Sequence, residues 1–171
     1  ATLALAEINL MKKGIELEPD LSELHTVRFS YHSVTDPLGG TAGDSNGVPS
    51  GTNIMNIGGN PVLSQNVLSG WTGAADEEIL KSTDAEAVRN RNLVPSDDLA
   101  YQDTAHLTGF YEVNLKEDPE GAKRLIRDAG AIAISYYSAS SSSPDTTTDT
   151  FNSATGAYYD KSAHGGRQNH A

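Results

Sequence analysis

Apolar side chains dominate the opening of the chain and recur there at helical spacing. Among residues 1–11 only three side chains are polar, and most of the residues are strong helix formers. This pattern predicts a helix over residues 1–13 that is buried on nearly all sides and ends at Gly14, because glycine suits a helix end. Since no capping residue precedes Ala1, we expect that the chain begins inside a helix of a longer parent protein.

Three further helices are predicted from the spacing of apolar residues and from the residues at their ends. They cover residues 20–29, 61–72 and 118–130. Asp20 or Ser22 supplies a side chain that caps the first of them, and proline stands at the first helical position of the other two. The first part of the chain is therefore expected to be mainly helical.

After His106 the pattern becomes typical of strands. Residues 107–113 and 131–137 read as strands, the second largely buried, and further strands are predicted within 151–159 and 168–171. Helices followed by strands along the chain predict the α+β class, arranged as two lobes rather than as one layered sheet.

Three segments are too polar, or too rich in glycine and proline, to form a core. Residues 36–60 contain nine glycines or prolines and predict successive turns. Residues 74–102 are acidic and predict an irregular, partly helical region. The Ser, Thr and Asp side chains of residues 138–150 predict a surface loop.

Composition narrows the range of partners. The 171 residues include 23 acidic and 12 basic side chains, for a formal charge of -11, and no stretch gathers enough Lys or Arg to neutralise a phosphate backbone. We therefore do not expect nucleic acid or an anionic membrane surface as a partner. No apolar run approaches the roughly 18 residues of a membrane-spanning helix, so no membrane insertion is expected. The chain has no cysteine, and therefore no disulfide and no thiolate.

Histidines are the obvious candidates for chemistry, and four of the five have ordinary explanations. His25 and His32 flank the second helix without an acidic residue at ligand spacing, His106 is placed to cap a strand, and His164 lies in a turn. We expect surface or packing roles for these four. No metal-binding motif of His, Glu or Cys occurs, so neither a metal nor another cofactor is predicted.

Residues 44–47 read Asp-Ser-Asn-Gly and resemble part of a calcium-binding loop. Such a loop needs a glutamate six residues after the glycine, and residue 53 is Asn. A turn is therefore the favoured interpretation, and a calcium-binding structural module stays an alternative.

Six segments, in order and nearly from end to end, resemble the papain-like cysteine peptidases and, more narrowly, their prokaryotic branch. They are the opening helix, residues 20–25 (Asp-Leu-Ser-Glu-Leu-His), Gly58-Gly59-Asn60-Pro61, the predicted strand 130–137, Tyr158-Tyr159 and Asn169-His170-Ala171. The resemblance implies an α+β, papain-like two-lobe fold that is truncated at both ends. Its helical lobe would cover residues 1–104, and its antiparallel, β-barrel-like lobe residues 105–171.

In this family a thiolate at the start of a buried helix is stabilised by the helix dipole and by an imidazolium across the cleft. His170 matches the position of that imidazole, so the resemblance gives it the role of general base and acid. The matching cysteine is expected just before Ala1, the glutamine of the oxyanion hole farther upstream, and the asparagine that orients the histidine beyond Ala171. The chain alone is therefore expected to be inactive.

The resemblance also implies a set of substrate-binding residues. Gly58 and above all Gly59 match glycines whose main chain pairs with an extended substrate as an added strand. The pocket for the second substrate residue upstream of the cut is expected to be lined by Asn60, Pro61, Ser135 and Ala171. For Asn60 and Pro61 an ordinary helix start explains the residues equally well.

The leading hypothesis is the middle part of a cysteine endopeptidase that acts on peptide or protein substrates. The alternative is a papain-like pseudoenzyme that serves as a binding or adhesion module, and the residue at the cysteine position would separate the two. The resemblance and the acidic composition favour an extracellular or cell-surface protein. Neither the cleavage specificity nor the oligomeric state is predicted.

Overall fold

The computed structural model describes residues 1–15, 18–35, 38–49, 51–135, 149–152, 154–155 and 157–160. The chain divides into two compact units, Ala1–Ile132 and Ala133–Ala171. Helices and small antiparallel sheets both occur, so the class is mixed α+β, as predicted. The finer expectation of two papain-like lobes, with a boundary after residue 104, stays a prediction.

The helices of the described residues all lie in the first unit. They are α1 (Thr2–Lys12), α2 (Glu23–Tyr31), α3 (Pro61–Ser69), α4 (Ala85–Arg89) and α5 (Pro119–Ala129), with short 3-10 helices at Ile54–Asn56, Ser82–Asp84 and Asp97–Tyr101. The strands β1 (Val34–Thr35) and β2 (Thr41–Ala42) pair antiparallel in the same unit. In the second unit β3 (Asp149–Asn152) pairs antiparallel with β4 (Ala157–Asp160).

Side-chain caps determine where three of the helices begin. Ser22, Asn60 and Asp118 each accept a hydrogen bond from the main-chain N–H three residues later, at 3.0, 3.1 and 2.7 Å. These bonds satisfy donors that the first turn of a helix leaves free. The predicted starts of α2, α3 and α5 are confirmed, with Ser22 rather than Asp20 as the cap, while α3 ends at Ser69, earlier than predicted.

The first helix is more exposed than its composition predicts. Leu3 is buried, but Ile8 and Met11 are 36% and 52% exposed, so the prediction of burial on nearly all sides is wrong among the described residues. One side of α1 packs against α3 and α5. Glu7 accepts a hydrogen bond from the Leu21 N–H at 2.9 Å, which ties the helix to the chain before α2.

The core of the first unit consists of two apolar clusters that meet on α3. One cluster contains Leu3, Leu21, Leu68 and Ala74, and the other Phe29, Ala42, Val67 and Ala100. Val67 and Leu68 are neighbours in the chain, so α3 supplies one residue to each cluster. The position of α3 therefore depends on contacts with both α1 and α2.

Two of the predicted strands do not form where they can be observed. Residues 107–113 and 131–135 are in no strand, and Ile134 is 49% exposed. A strand needs a partner strand to bond with along its length, whereas the Leu107 N–H donates to the carbonyl of Leu68 in helix α3, at 2.8 Å. The strands predicted within 151–159 are confirmed as parts of β3 and β4. Residues 136–137 and 168–171 lie outside the described residues.

Two of the three polar segments, residues 36–60 and 74–102, have the turns and the irregular, partly helical structure that the sequence predicts, where the structure describes them. Turns, β2 and one 3-10 helix make up most of 38–60, and short helices alternate with irregular chain over 74–102. Of the loop predicted over 138–150, residues 149 and 150 belong to β3 and the others lie outside the described residues. Among the helices described, none is long and apolar enough to cross a membrane.

Candidate functional site

The Gly58-Gly59 pair connects a 3-10 helix to the start of α3. On one side the Ile57 N–H bonds to the Ile54 carbonyl at 3.2 Å, and on the other Asn60 caps α3. Both glycines are exposed, and a Cβ built on either would meet no atom within 4 Å. The pair is therefore an open stretch of main chain between two anchored ends.

The hydrogen bonds of the two glycines differ. The carbonyl of Gly58 accepts a bond from the Tyr31 hydroxyl at 2.8 Å. Neither the N–H nor the carbonyl of Gly59 has a partner within the described part of the chain. An exposed residue with both main-chain groups free is able to pair with an extended peptide.

Asn60 and Pro61 form a helix start, as one of the two interpretations predicted. The Asn60 side chain is exposed, and its Oδ1 accepts the bond from the Leu63 N–H. Pro61 occupies the first turn, where its missing N–H removes no helical bond. Their additional role in a substrate pocket stays a prediction.

The remaining predicted site residues belong to the second unit. Ser135 is exposed there. His170 and Ala171 lie outside the described residues, so the catalytic role of the first and the pocket role of the second stay predictions.

A polar cluster joins α2 to the 3-10 helix Asp97–Tyr101. The Asp97 carboxylate contacts the Arg28 guanidinium at 2.9 Å and the His32 Nε2 at 2.7 Å. The bond to His32, with a further contribution from Arg28, lowers the pKa of the Asp97 carboxyl. The sequence pattern did not predict this cluster. The signal in the sequence is the spacing of Arg28 and His32, which are four residues apart at the end of α2.

His25 is a buried packing residue, as predicted. Its ring is inaccessible to solvent, lies 4.8 Å from the Phe29 ring between centroids, and has Nε2 2.9 Å from the Leu99 carbonyl oxygen. Because a carbonyl only accepts, Nε2 carries the proton and donates. Burial lowers the pKa of His25, against smaller opposing effects of the Leu99 bond and of Asp103. The ring therefore stays neutral and joins two helices rather than serving an exposed site.

His106 and Asp44 each bond to a residue close by in the chain. His106 Nε2 lies 2.8 Å from Asp103 Oδ2, and no strand follows it, so the predicted cap on a strand is wrong. Asp44 Oδ1 accepts a bond from the Asn46 N–H at 2.8 Å, as in an Asx turn. His164 lies outside the described residues. No group of three or more His, Cys, Asp or Glu in the described ranges is arranged to hold a metal ion.

Two shallow cavities are both lined in part by Trp71, which is 81% exposed. One, of about 310 Å³, is lined by Ser69, Gly70, Trp71 and His106. The other, of about 340 Å³, shares Ser69, Gly70 and Trp71 with the first and is also lined by Asn66, Val67, Thr72, Thr41, Gly43 and Asp44. Among the described residues of the first unit, none of the four predicted site residues Gly58, Gly59, Asn60 and Pro61 lines either cavity. The glycine pair is thus an exposed stretch of main chain that lies outside both cavities.

Comparison of the chain with known protein families, with curated proteins and with solved structures gives no match.

Proposed function

We propose that this chain is part of the catalytic domain of a papain-like cysteine endopeptidase, which hydrolyses peptide bonds by a Cys-His mechanism. The observation that carries the proposal is the exposed, unpaired main chain of Gly59 between two anchored ends. A peptide pairs with such an edge through its own main chain, which accommodates many sequences. The resemblance of six ordered segments supplies the chemistry that would act on the bound peptide.

The reaction in this proposal uses residues outside and inside the chain. A cysteine thiolate upstream of Ala1 attacks the scissile carbonyl carbon, and His170, protonated in the ion pair, gives its proton to the leaving amine. Water then attacks the thioester carbonyl of the acyl-enzyme while His170 takes a proton from it; the C–S bond breaks, which releases the carboxylic acid product and regenerates the thiolate beside protonated His170. The proposal includes the two-lobe fold, with lobes in 1–104 and 105–171, and an extracellular or cell-surface location.

The first test uses the protein with its native flanking sequence. A thiol-directed peptidyl epoxide should label it, and a fluorogenic peptide should be cleaved. His170→Ala should abolish turnover while the protein remains folded by circular dichroism. Turnover retained in His170→Ala would show that another residue is the base. A folded wild-type protein with neither labelling nor turnover would contradict the peptidase and favour the pseudoenzyme.

The glycine edge has a test of its own. Gly59→Ala should leave stability nearly unchanged, because the added methyl group meets no atom, yet it obstructs the approach of a substrate strand. Losing about two main-chain bonds should lower kcat/KM by about tenfold or more. Gly109→Ala is the matched control, since Gly109 is also exposed with open space around it. Equal kinetics in both variants would contradict substrate pairing at Gly59.

A further inference from the structure

Tyr31 connects the end of α2 to the glycine pair. It is the last residue of the helix and is half-buried, and its hydroxyl donates to the Gly58 carbonyl at 2.8 Å. The sequence pattern gave this tyrosine no role. The bond joins residues 27 positions apart and is made to the residue immediately before the free edge of Gly59.

The segment needs such a bond because of its composition. Two consecutive glycines have more conformational freedom than any other pair, and no side chain of theirs packs against the fold. The anchors at Ile57 and Asn60 hold only the ends. Within the described residues, the Tyr31 hydroxyl makes the one hydrogen bond that reaches the main chain of the pair itself.

We infer that Tyr31 is a positioning residue for substrate: by holding the Gly58 carbonyl, it keeps the N–H and carbonyl of Gly59 available to the main chain of an extended peptide. The inference rests on the proposed function. Without the hydroxyl, the pair samples more conformations and must be ordered when the substrate binds, which weakens binding. The binding free energy that is lost is the same in the ground state and in the transition state, so the change raises KM and leaves kcat unchanged.

A purely structural bond predicts a different result. If Tyr31 only stabilised the fold, its removal would affect every substrate equally or none of them. If it orders the glycine pair, its removal affects only substrates long enough to lie along the pair. Substrate length therefore separates positioning from stability.

The experiment compares the wild-type protein, with its native flanks, with Tyr31→Phe. For a peptide extending several residues upstream of the cut, KM should rise about fivefold, the equivalent of one ordinary hydrogen bond, with kcat within about twofold. For a single-residue ester that ends short of the glycine pair, both constants should be unchanged. Tyr111→Phe is the matched control, because Tyr111 is 86% exposed and its hydroxyl bonds to no described residue.

Each other outcome overturns the inference in a distinguishable way. An unchanged KM for the long peptide, or equal changes for peptide and ester, in an active enzyme would overturn positioning by Tyr31 and leave the peptidase intact. An unlabelled, inactive wild-type protein would overturn the proposed function and, with it, the inference.

Discussion

Gly43 occupies a position that no other residue fits without displacement of the main chain. Its φ is +71°, and a Cβ would lie 2.6 Å from the His32 carbonyl oxygen and 2.9 Å from that of Phe29. Gly43→Ala should therefore combine backbone strain with overpacking and cost about 3 kcal/mol or more of unfolding free energy. Urea denaturation followed by fluorescence measures the loss.

Gly47 provides the matched control for Gly43. Its φ of +67° is nearly the same, but a Cβ there would meet nothing within 4 Å. Gly47→Ala should show the backbone strain alone, about 1 kcal/mol. Equal losses in the two variants would contradict the close approach at Gly43.

His25 should make stability depend on pH. Burial lowers its pKa in the folded state, so between that pKa and the unfolded value of about 6.5 the unfolded chain binds more protons. The contribution of the neutral ring to the unfolding free energy is complete above about pH 6.5. It is lost as the pH falls toward the pKa of His25 in the folded state. The unfolding free energy of the wild type should therefore fall more steeply below pH 6.5 than that of His25→Gln. Parallel curves for the two proteins would contradict this assignment.

At the scale of elements, α3 is the helix whose start bears on the candidate site. Asn60→Ala removes the side-chain acceptor for the Leu63 N–H and should cost about 1 kcal/mol of unfolding free energy. Asn60→Ser keeps an acceptor and should stay within about 0.5 kcal/mol of the wild type. Thermal melts of both variants measure the difference, and an equal loss in both would show that the cap bond does not stabilise α3.

The same elements show which local structures a sequence predicts. Ser22, Asn60 and Asp118 bond within three residues of themselves, so the starts of α2, α3 and α5 could be predicted. The strands predicted at 107–113 and 131–137 required partners that the composition of the segments does not specify. In the candidate site, the resemblance pointed to Gly59. That its main chain has no partner among the described residues, and that Tyr31 bonds to the neighbouring Gly58, depends on how distant parts of the chain pack.

At the scale of the whole molecule, the formal charge of -11 means that any cation screens the acidic surface, so a test for calcium binding needs a second cation as a control. The Asp44 carboxylate already bonds within its own turn, so about 1 mM calcium should leave the melting temperature within about 1 °C. Magnesium at the same concentration controls for general screening of the acidic surface. A rise in the melting temperature with calcium but not with magnesium would support the alternative of a calcium-binding structural module.

The sequence by itself determined the starts of three helices, the turn-rich segments, the mixed α+β class and the acidic character of the molecule. These properties follow from composition or from bonds between residues a few positions apart. Only the tertiary structure decided that α1 is exposed on one side, that His25 is buried against Leu99, and that Tyr31 reaches Gly58. Burial, strand pairing and such bonds join residues distant in the chain, so they depend on how the elements pack rather than on the pattern of any one segment.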